Sequence, residues 1–488
     1  MTQTIDHVAL LPAYLAAGTA VLVLLADLLV GRRAATAAVA MLGAAGTAVG
    51  AVLVGRGADR ETFCTVDGCS WLATSRGALV GTVFAVLTLG VLLLSGPLLR
   101  AGAVPAGEYC FLLACSMTGG VVLGAAGDLI TLIVALETLT IPLYILVGLR
   151  RRTVASAEAA MTFFLVSVVA TAVTLLGAAL LYAVRGTLHL AALAAAPALE
   201  AGAEARLGRV AVVLLLAGLA FKVAAVPLHA WAPATYDGAP LPVAAYLSTA
   251  SKLGGVVAVI AVVVDGLGPW LAVSGPALAV LAVLTMTVGN LVALRQTRMV
   301  RLLAWSSVAQ AGYILAPLGA AVAVAGRDAD ALSVAVAATV AYAVFFVVLE
   351  LAAFASVVAL RPADADGGEI TAYRGAGRRH PFVAAAFVLA LVGLAGLPPG
   401  LAGLFAKVVV VRSLLDGGAG WLAVVVALNA VVGLAYYLRV CGTLYAAGDV
   451  AGTARRVPWS VGLALGGATA VAVVVGFAPQ TILDAVQL

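Results

Sequence analysis

A chain of 488 residues that is 64% hydrophobic and only 10% charged, with a mean hydropathy of +1.16, carries too little charge for a soluble globular protein. Its net charge of +5 comes from arginines scattered among short loops, which excludes a nucleic-acid-binding surface. What remains is an all-α polytopic membrane protein, because lipid admits only helices or closed barrels and the apolar stretches are too long for strands.

In chain order, apolar stretches near 9–30, 35–54, 78–98, 108–126, 128–149, 157–184, 209–228, 241–264, 270–294, 302–325, 332–360, 382–414, 420–446 and 458–480 predict about fourteen transmembrane helices. Connections are short except around 56–77, 185–208 and 361–381. The opening MTQTIDH lacks a positive n-region, so no cleaved signal peptide is expected. With the N-terminus outside, fifteen arginines fall in cytoplasmic loops, among them Arg32, Arg33, Arg100 and the triplet Arg150, Arg151 and Arg152. Eight fall outside, among them Arg56, Arg185, Arg327 and Arg412. Both termini are therefore expected on the exterior face of a bacterial plasma membrane.

Cys64 and Cys69, in "FCTVDGCSW", lie in a loop that this topology puts on the oxidising side. A local disulfide and two unpaired small residues are both compatible with the sequence. Cys110, Cys115 and Cys441 fall within spans and read as small hydrophobes. No CxxC, His/Cys cluster or P-loop occurs, so no metal, haem, flavin, iron–sulfur or nucleotide site is expected in this chain.

Lysine is the informative residue. The chain has only three, Lys222, Lys252 and Lys407, and all lie inside predicted spans. A GC-rich genome explains arginine in the loops but not lysine surviving only at membrane depth. A lysine at a helix centre costs about 2.5–3.5 kcal/mol on insertion scales, so three of them need a shared reason. Arginine stays protonated under nearly all conditions, whereas a desolvated lysine gives up its proton. Lysines that merely snorkel or pair would account for one such residue better than for three. A proton-carrying role is the expectation.

Glu137, in "LIVALETLTIPLYILVGL", is the available carboxylate. Beside an ammonium it would stay ionised, and a change in their separation would switch the lysine's protonation. Helix breaks accompany two of the lysines. Pro227 follows Lys222, and Pro398 and Pro399 in "GLPPGLAG" precede Lys407. Interrupted helices bearing ionisable groups are how many transporters build sites near the bilayer midplane. Lys222 falls in span seven and Lys407 in span twelve, five spans apart, so the broken helices cross in opposite senses. An inverted repeat, spans 4–8 against 9–13, would produce this.

The segments "FKVAAVPLHAWAPATYDGAPLPVAAYLSTASK" (221–252), "LETLTIPLYILVG" around Glu137, "RLLAWSSVAQAGY" (301–313), "YRGAGRRHP" (373–381) and "LAGLPPGLAGLFAK" (394–407) resemble the antiporter-like membrane subunits of respiratory complex I. Within that family "YDGAPLPV" points to the N type rather than L or M. The resemblance covers nearly the whole chain. It implies fourteen helices in two inverted five-helix repeats with helices seven and twelve broken. The corresponding division is 1–106 for helices one to three, 107–268 and 269–447 for the repeats, and 448–488 for the last helix.

The resemblance further implies a proton-translocating subunit of NADH:quinone oxidoreductase. Glu137 and Lys222 would form the switch pair, Lys252 the central relay and Lys407 the terminal carrier. FMN, iron–sulfur clusters and quinone would belong to partner subunits, with subunit M on one side, subunits K and J on the other, and lipid around them. Two rival readings are a proton-path subunit of a cation/proton antiporter or membrane-bound hydrogenase, and a non-transporting scaffold. Three residues depart from the family pattern. Gln310 replaces a histidine in "SSxxHxGY", Val300 replaces a basic residue before Arg301, and Glu350 stands where a neutral polar residue is expected. Glu350 is expected either to tune Lys407 from the neighbouring helix or to be hydrogen-bonded, protonated, within span eleven. His229, beside the helix-seven break, is placed to serve a water path. His7, His189 and His380 read as loop or interface residues.

Overall fold

The structure, a computed structural model, describes residues 5–150, 153–199, 201–363, 365–447 and 456–480. Arg151 and Arg152 of the arginine triplet lie outside the described residues. Helices α1 (Leu11–Val30), α2 (Arg33–Gly55) and α3 (Ser75–Ala101) come first, with a hairpin of β1 (Arg60–Cys64) and β2 (Cys69–Ala73) between α2 and α3. Then follow α4 (Ala106–Gly124), α5 (Leu129–Val147), α6 (Val154–Arg185) and the short α7 (Leu190–Ala195). The expected seventh span is two pieces, α8 (Ala203–Lys222) and α9 (Trp231–Gly238).

Helix eight is composite. α10 (Leu241–Tyr246) runs through a π-helical turn at 247–251 into α11 (Lys252–Ile260) and a second such turn at 261–266. The remainder comprises α12 (Leu271–Ala293), α13 (Met299–Leu315), α14 (Ala329–Leu360), α15 (Ala376–Arg379), α16 (Pro381–Ala395), α17 (Leu401–Asp416), α18 (Gly420–Tyr445) and α19 (Trp459–Phe477). Among the described residues, 11 helical segments of 18 or more residues are apolar enough to cross a membrane.

The expected breaks in helices seven and twelve are present, and one span boundary moves. The seventh span was expected to run to 228, but its first helix ends at Lys222 and irregular backbone occupies 223–230. Ala224 sits there at φ 58°, a left-handed conformation that an α-helix cannot continue. The twelfth stretch, 382–414, is two helices as expected, parted where Gly396 takes φ 82° and Pro398 and Pro399 follow. The long connections 56–77 and 185–208 hold the hairpin and α7.

The hairpin docks by main-chain bonds: Leu72 N–H donates to Ala125 O at 2.8 Å and Gly127 N–H to Ser70 O at 2.9 Å. Cys64 and Cys69 are disulfide-bonded across it. Asp128 then caps α5 by accepting from Thr131 N–H at 2.8 Å. At the other end of the bundle, Arg298 bridges Asp237 (2.9 Å) and Asp366 (2.8 Å), joining the end of α9 to the segment after α14.

Lipid gives helices no hydrophobic reason to associate, so close approach depends on small residues. A methyl group at Gly119 of α4 would fall 2.7 Å from Ala135 O of α5. At Gly255 of α11 it would fall 2.9 Å from the carbonyl carbon of Lys222. Helix eight therefore presses its backbone against the helix-seven break. Outward-facing apolar side chains such as Leu28, Leu42, Val169 and Val431 are exposed, as befits helices whose solvent is lipid or another apolar subunit.

Candidate functional site

Helical spacing on α5 puts Glu137, Thr140 and Tyr144 along one face, and α6 offers Ser167 and Thr171 one turn apart. Lys222, the last residue of α8, reaches into this wall and is only 6% exposed. Its ammonium donates to Glu137 Oε1 at 2.6 Å, Thr140 Oγ1 at 3.1 Å and Ser167 Oγ at 3.2 Å. All three N–H donors are thus used, which a buried ammonium requires. Thr171 also donates to Glu137 Oε1 at 2.6 Å, and Tyr144 donates to Ser167. Behind the lysine, the break is closed by Trp231 Nε1 donating to Phe221 O at 3.1 Å and by Val226 N–H donating to Thr285 Oγ1 at 2.9 Å.

Lys252 begins α11 directly after the π-helical turn and is 2% exposed. Among the described residues its ammonium meets no carboxylate directly. It donates to Ser307 O and Ser307 Oγ, each at 2.6 Å. Glu350 of α14 accepts from Ser248 Oγ at 2.6 Å, and Ser248 Oγ lies 3.1 Å from Ser307 Oγ. The expectation that Glu350 hydrogen-bonds within span eleven is therefore corrected. Glu350 hydrogen-bonds across to helix eight rather than within its own helix, and its side chain is tied to the Lys252 cluster rather than to Lys407. The reason is rotational: Glu350 is one turn beyond Phe346, whose ring is 5.8 Å from Lys252 Nζ.

Lys407, on α17, donates to the carbonyls of Leu394 (2.8 Å) and Ala395 (2.6 Å), the last residues of α16. These carbonyls are freed by the helix break and carry the negative end of the α16 dipole. Gln310 donates to the same Leu394 oxygen at 3.0 Å and to Tyr437 Oη at 3.1 Å, and it accepts from Tyr342 at 2.6 Å. The Lys407 side chain also lines a groove of about 500 Å³ between α17 and α18, with Arg412 and Asp416 farther along it.

His229 packs against Trp305 at 5.0 Å between ring centres and joins none of the three lysine clusters. Pro227, Pro398 and Pro399 lie in the two breaks. The sequence reading did not single out Thr140, Ser167, Thr171, Ser248, Ser307, Tyr342 or Tyr437. A signal was present for two of them: Thr140 follows Glu137 by three residues, and Ser307 precedes Gln310 by three. For the others, which come from separate helices, the sequence holds no marker.

Interrupted apolar helices with ionisable groups held at their breaks define a transporter-type membrane subunit. The chain belongs to the family described as NADH:quinone oxidoreductase/Mrp antiporter, which matches residues 126–433. It is 66% identical to NADH-quinone oxidoreductase subunit N of Salinispora tropica, over 99% of both chains. A chain of respiratory complex I from Thermus thermophilus matches with a TM-score of 0.80 and 28% identity, covering 97% of this chain and 99% of that one. A chain of the Mrp complex from Dietzia sp. shares the fold, with a TM-score of 0.82 at 21% identity over 98% of this chain and 96% of that one.

Proposed function

We propose that this chain is an N-type membrane-arm subunit of NADH:quinone oxidoreductase, and that it carries protons across the bacterial plasma membrane through its three lysines. The observation that carries the mechanism is the Glu137–Lys222 pair, 2.6 Å apart at the end of an interrupted helix. While the pair is closed, the carboxylate holds Lys222 charged. Drawing Glu137 away leaves an ammonium among hydroxyls in a low-dielectric interior, and such a group sheds its proton. Lys252 receives the proton, and Lys407, lining an open groove, releases it. Gln310 cannot titrate, so it orders the Leu394 carbonyl and the tyrosines around Lys407 rather than acting as a relay.

Fourteen spans follow if α8 with α9, and α16 with α17, each count as one crossing. Helices four to eight and nine to thirteen then form the two inverted repeats, within the boundaries 107–268 and 269–447. Both termini face the exterior. Subunit M flanks the chain on one side and subunits K and J on the other. FMN, iron–sulfur clusters and quinone reside in partner subunits, and no redox group in this chain takes part. The likeness to the Mrp chain is one of fold alone, whereas 66% identity ties this chain to subunit N.

The test is to purify the complex through this chain in mild detergent, inventory its subunits by mass spectrometry and compare wild type with Lys222→Met. We expect NADH-dehydrogenase-arm subunits, full assembly of the variant, and a fall of about tenfold or more in NADH-driven proton pumping. Loss of the assembled complex in Lys222→Met would instead assign Lys222 a structural role. Finding only antiporter or hydrogenase subunits would overturn the assigned enzyme.

A further inference from the structure

The relay leaves one buried carboxylate of the membrane interior without a task. Glu350, midway along α14, is 0% exposed, as deeply buried as any apolar side chain around it. A carboxylic side chain at such depth is rare and expensive unless it is paired or works. Its surroundings are specific. Oε1 accepts the Ser248 hydroxyl at 2.6 Å, Ser248 Oγ lies 3.1 Å from Ser307 Oγ, and Ser307 Oγ accepts from Lys252 Nζ at 2.6 Å. Oε2 has no hydrogen-bond partner among the described residues. An acid and an amine thus face one another across two hydroxyls, on three helices (α14, helix eight and α13).

The donor inventory gives this line a direction. An ammonium only donates, and each hydroxyl carries one hydrogen. The Ser248 hydroxyl is placed to donate either to Ser307 Oγ at 3.1 Å or to Glu350 Oε1 at 2.6 Å, but it carries one hydrogen. When that hydrogen goes to Glu350, at the shorter contact, the Ser307 hydroxyl has to turn its own hydrogen towards Ser248. Every link then runs from the lysine to the carboxylate.

We propose that Glu350 is the proton-exchange partner of Lys252. In the forward step a Lys252 N–H bond breaks and its proton passes to Ser307. Ser307 gives its hydrogen to Ser248, and Ser248 gives its hydrogen to Glu350, where a new O–H bond forms. The products are a neutral amine and a neutral carboxylic acid, with both serines restored and their hydroxyls reversed. No net charge enters or leaves the apolar interior. The exchange therefore converts a buried ion pair into a buried neutral pair, avoiding the desolvation penalty of an isolated buried ion. Glu350 in this way parks a proton beside the central lysine between its arrival from the Lys222 side and its departure towards Lys407. The inference rests on Lys252 being a relay, and its failure is separable from failure of that reading.

The experiment uses the assembled complex in proteoliposomes, with Lys252→Met, Glu350→Gln, Glu350→Asp and the Lys252→Met/Glu350→Gln double variant. Glu350→Gln is expected to lower NADH-driven pumping about tenfold. Glu350→Asp is expected to recover part of it, and the double variant to pump no worse than Lys252→Met. Infrared difference spectra taken during turnover should show a protonated-carboxyl band that vanishes in Glu350→Gln. A residue that only packs the core would give no such band. Full pumping by Glu350→Gln alongside a defective Lys252→Met overturns the role of Glu350 and leaves the relay standing. Full pumping by Lys252→Met overturns the relay and the inference together. If Glu350→Gln fails to assemble, recovery of assembly in the double variant supports the pairing, and failure of both overturns it.

Discussion

The two interrupted helices solve the same problem with different materials. At the helix-seven break, Lys222 is held by a formal charge, Glu137 at 2.6 Å, and by two hydroxyls. At the helix-twelve break, Lys407 is held by two main-chain carbonyls that the break itself exposes. The first arrangement is a pair, and a pair can be opened by moving one member. The second is a fixed cradle of dipoles, whose strength changes only if the break changes shape. In the proposed relay, the first arrangement suits a switch and the second a steady terminal site.

Removing one partner at each break tests that contrast most severely. Glu137→Gln leaves an uncompensated ammonium and is expected to cost about 2–3 kcal/mol, read as a lowered melting temperature of the purified complex. Lys407→Met leaves no orphaned ion, and its effect on melting should stay within about 1 kcal/mol. Equal melting shifts in the two variants would erase the distinction.

A gentler comparison addresses the shape of the breaks. Gly396, at φ 82°, lies where a methyl group would sit 2.7 Å from Lys407 Cδ. Gly396→Ala therefore should cost about 1–2 kcal/mol from the left-handed backbone alone and displace the lysine as well. Ala224 already occupies that region at φ 58°, so Ala224→Gly should raise stability by up to about 1 kcal/mol. Thermal melts that move in the same direction for both would contradict this account of the breaks.

The smallest effect is expected away from the lysines, where Arg298 ties the two halves together. Burial pushes the Asp366 carboxyl up, but hydrogen bonding to Arg298 and the charges of Arg298, Arg150 and Arg361 outweigh it and hold it below the usual carboxylate range. Asp366 binds its proton more weakly in the folded state. Its contribution is thus complete above the unfolded value of about 3.9 and fades as pH falls through the lower folded one. Solvent exposure keeps it under about 1 kcal/mol. Asp366→Asn should remove that share of the acid-side loss from a series of melts between neutral and acidic pH. An unchanged acid limb would show that the bridge adds no stability.

Much of this protein was legible as sequence because the membrane is an unforgiving solvent. A run such as that of α14, or of α12 with its single interior proline, has to be a helix, since nothing else satisfies its backbone in hydrocarbon. The same severity singled out Lys222, Lys252, Lys407 and Glu137 as residues needing a reason to be there. The prolines and glycines around 227 and 396–400 marked the breaks, though not where the helices on either side stop. The partners of each charge were decided only by tertiary structure. Ser307 meets Lys252, and Glu350 joins it through Ser248, because α13 and α14 turn particular faces towards helix eight. A sequence lists which groups are costly to bury. Which of them offset one another depends on helix rotation and on approach distances set by small residues such as Gly255, and hydropathy carries neither.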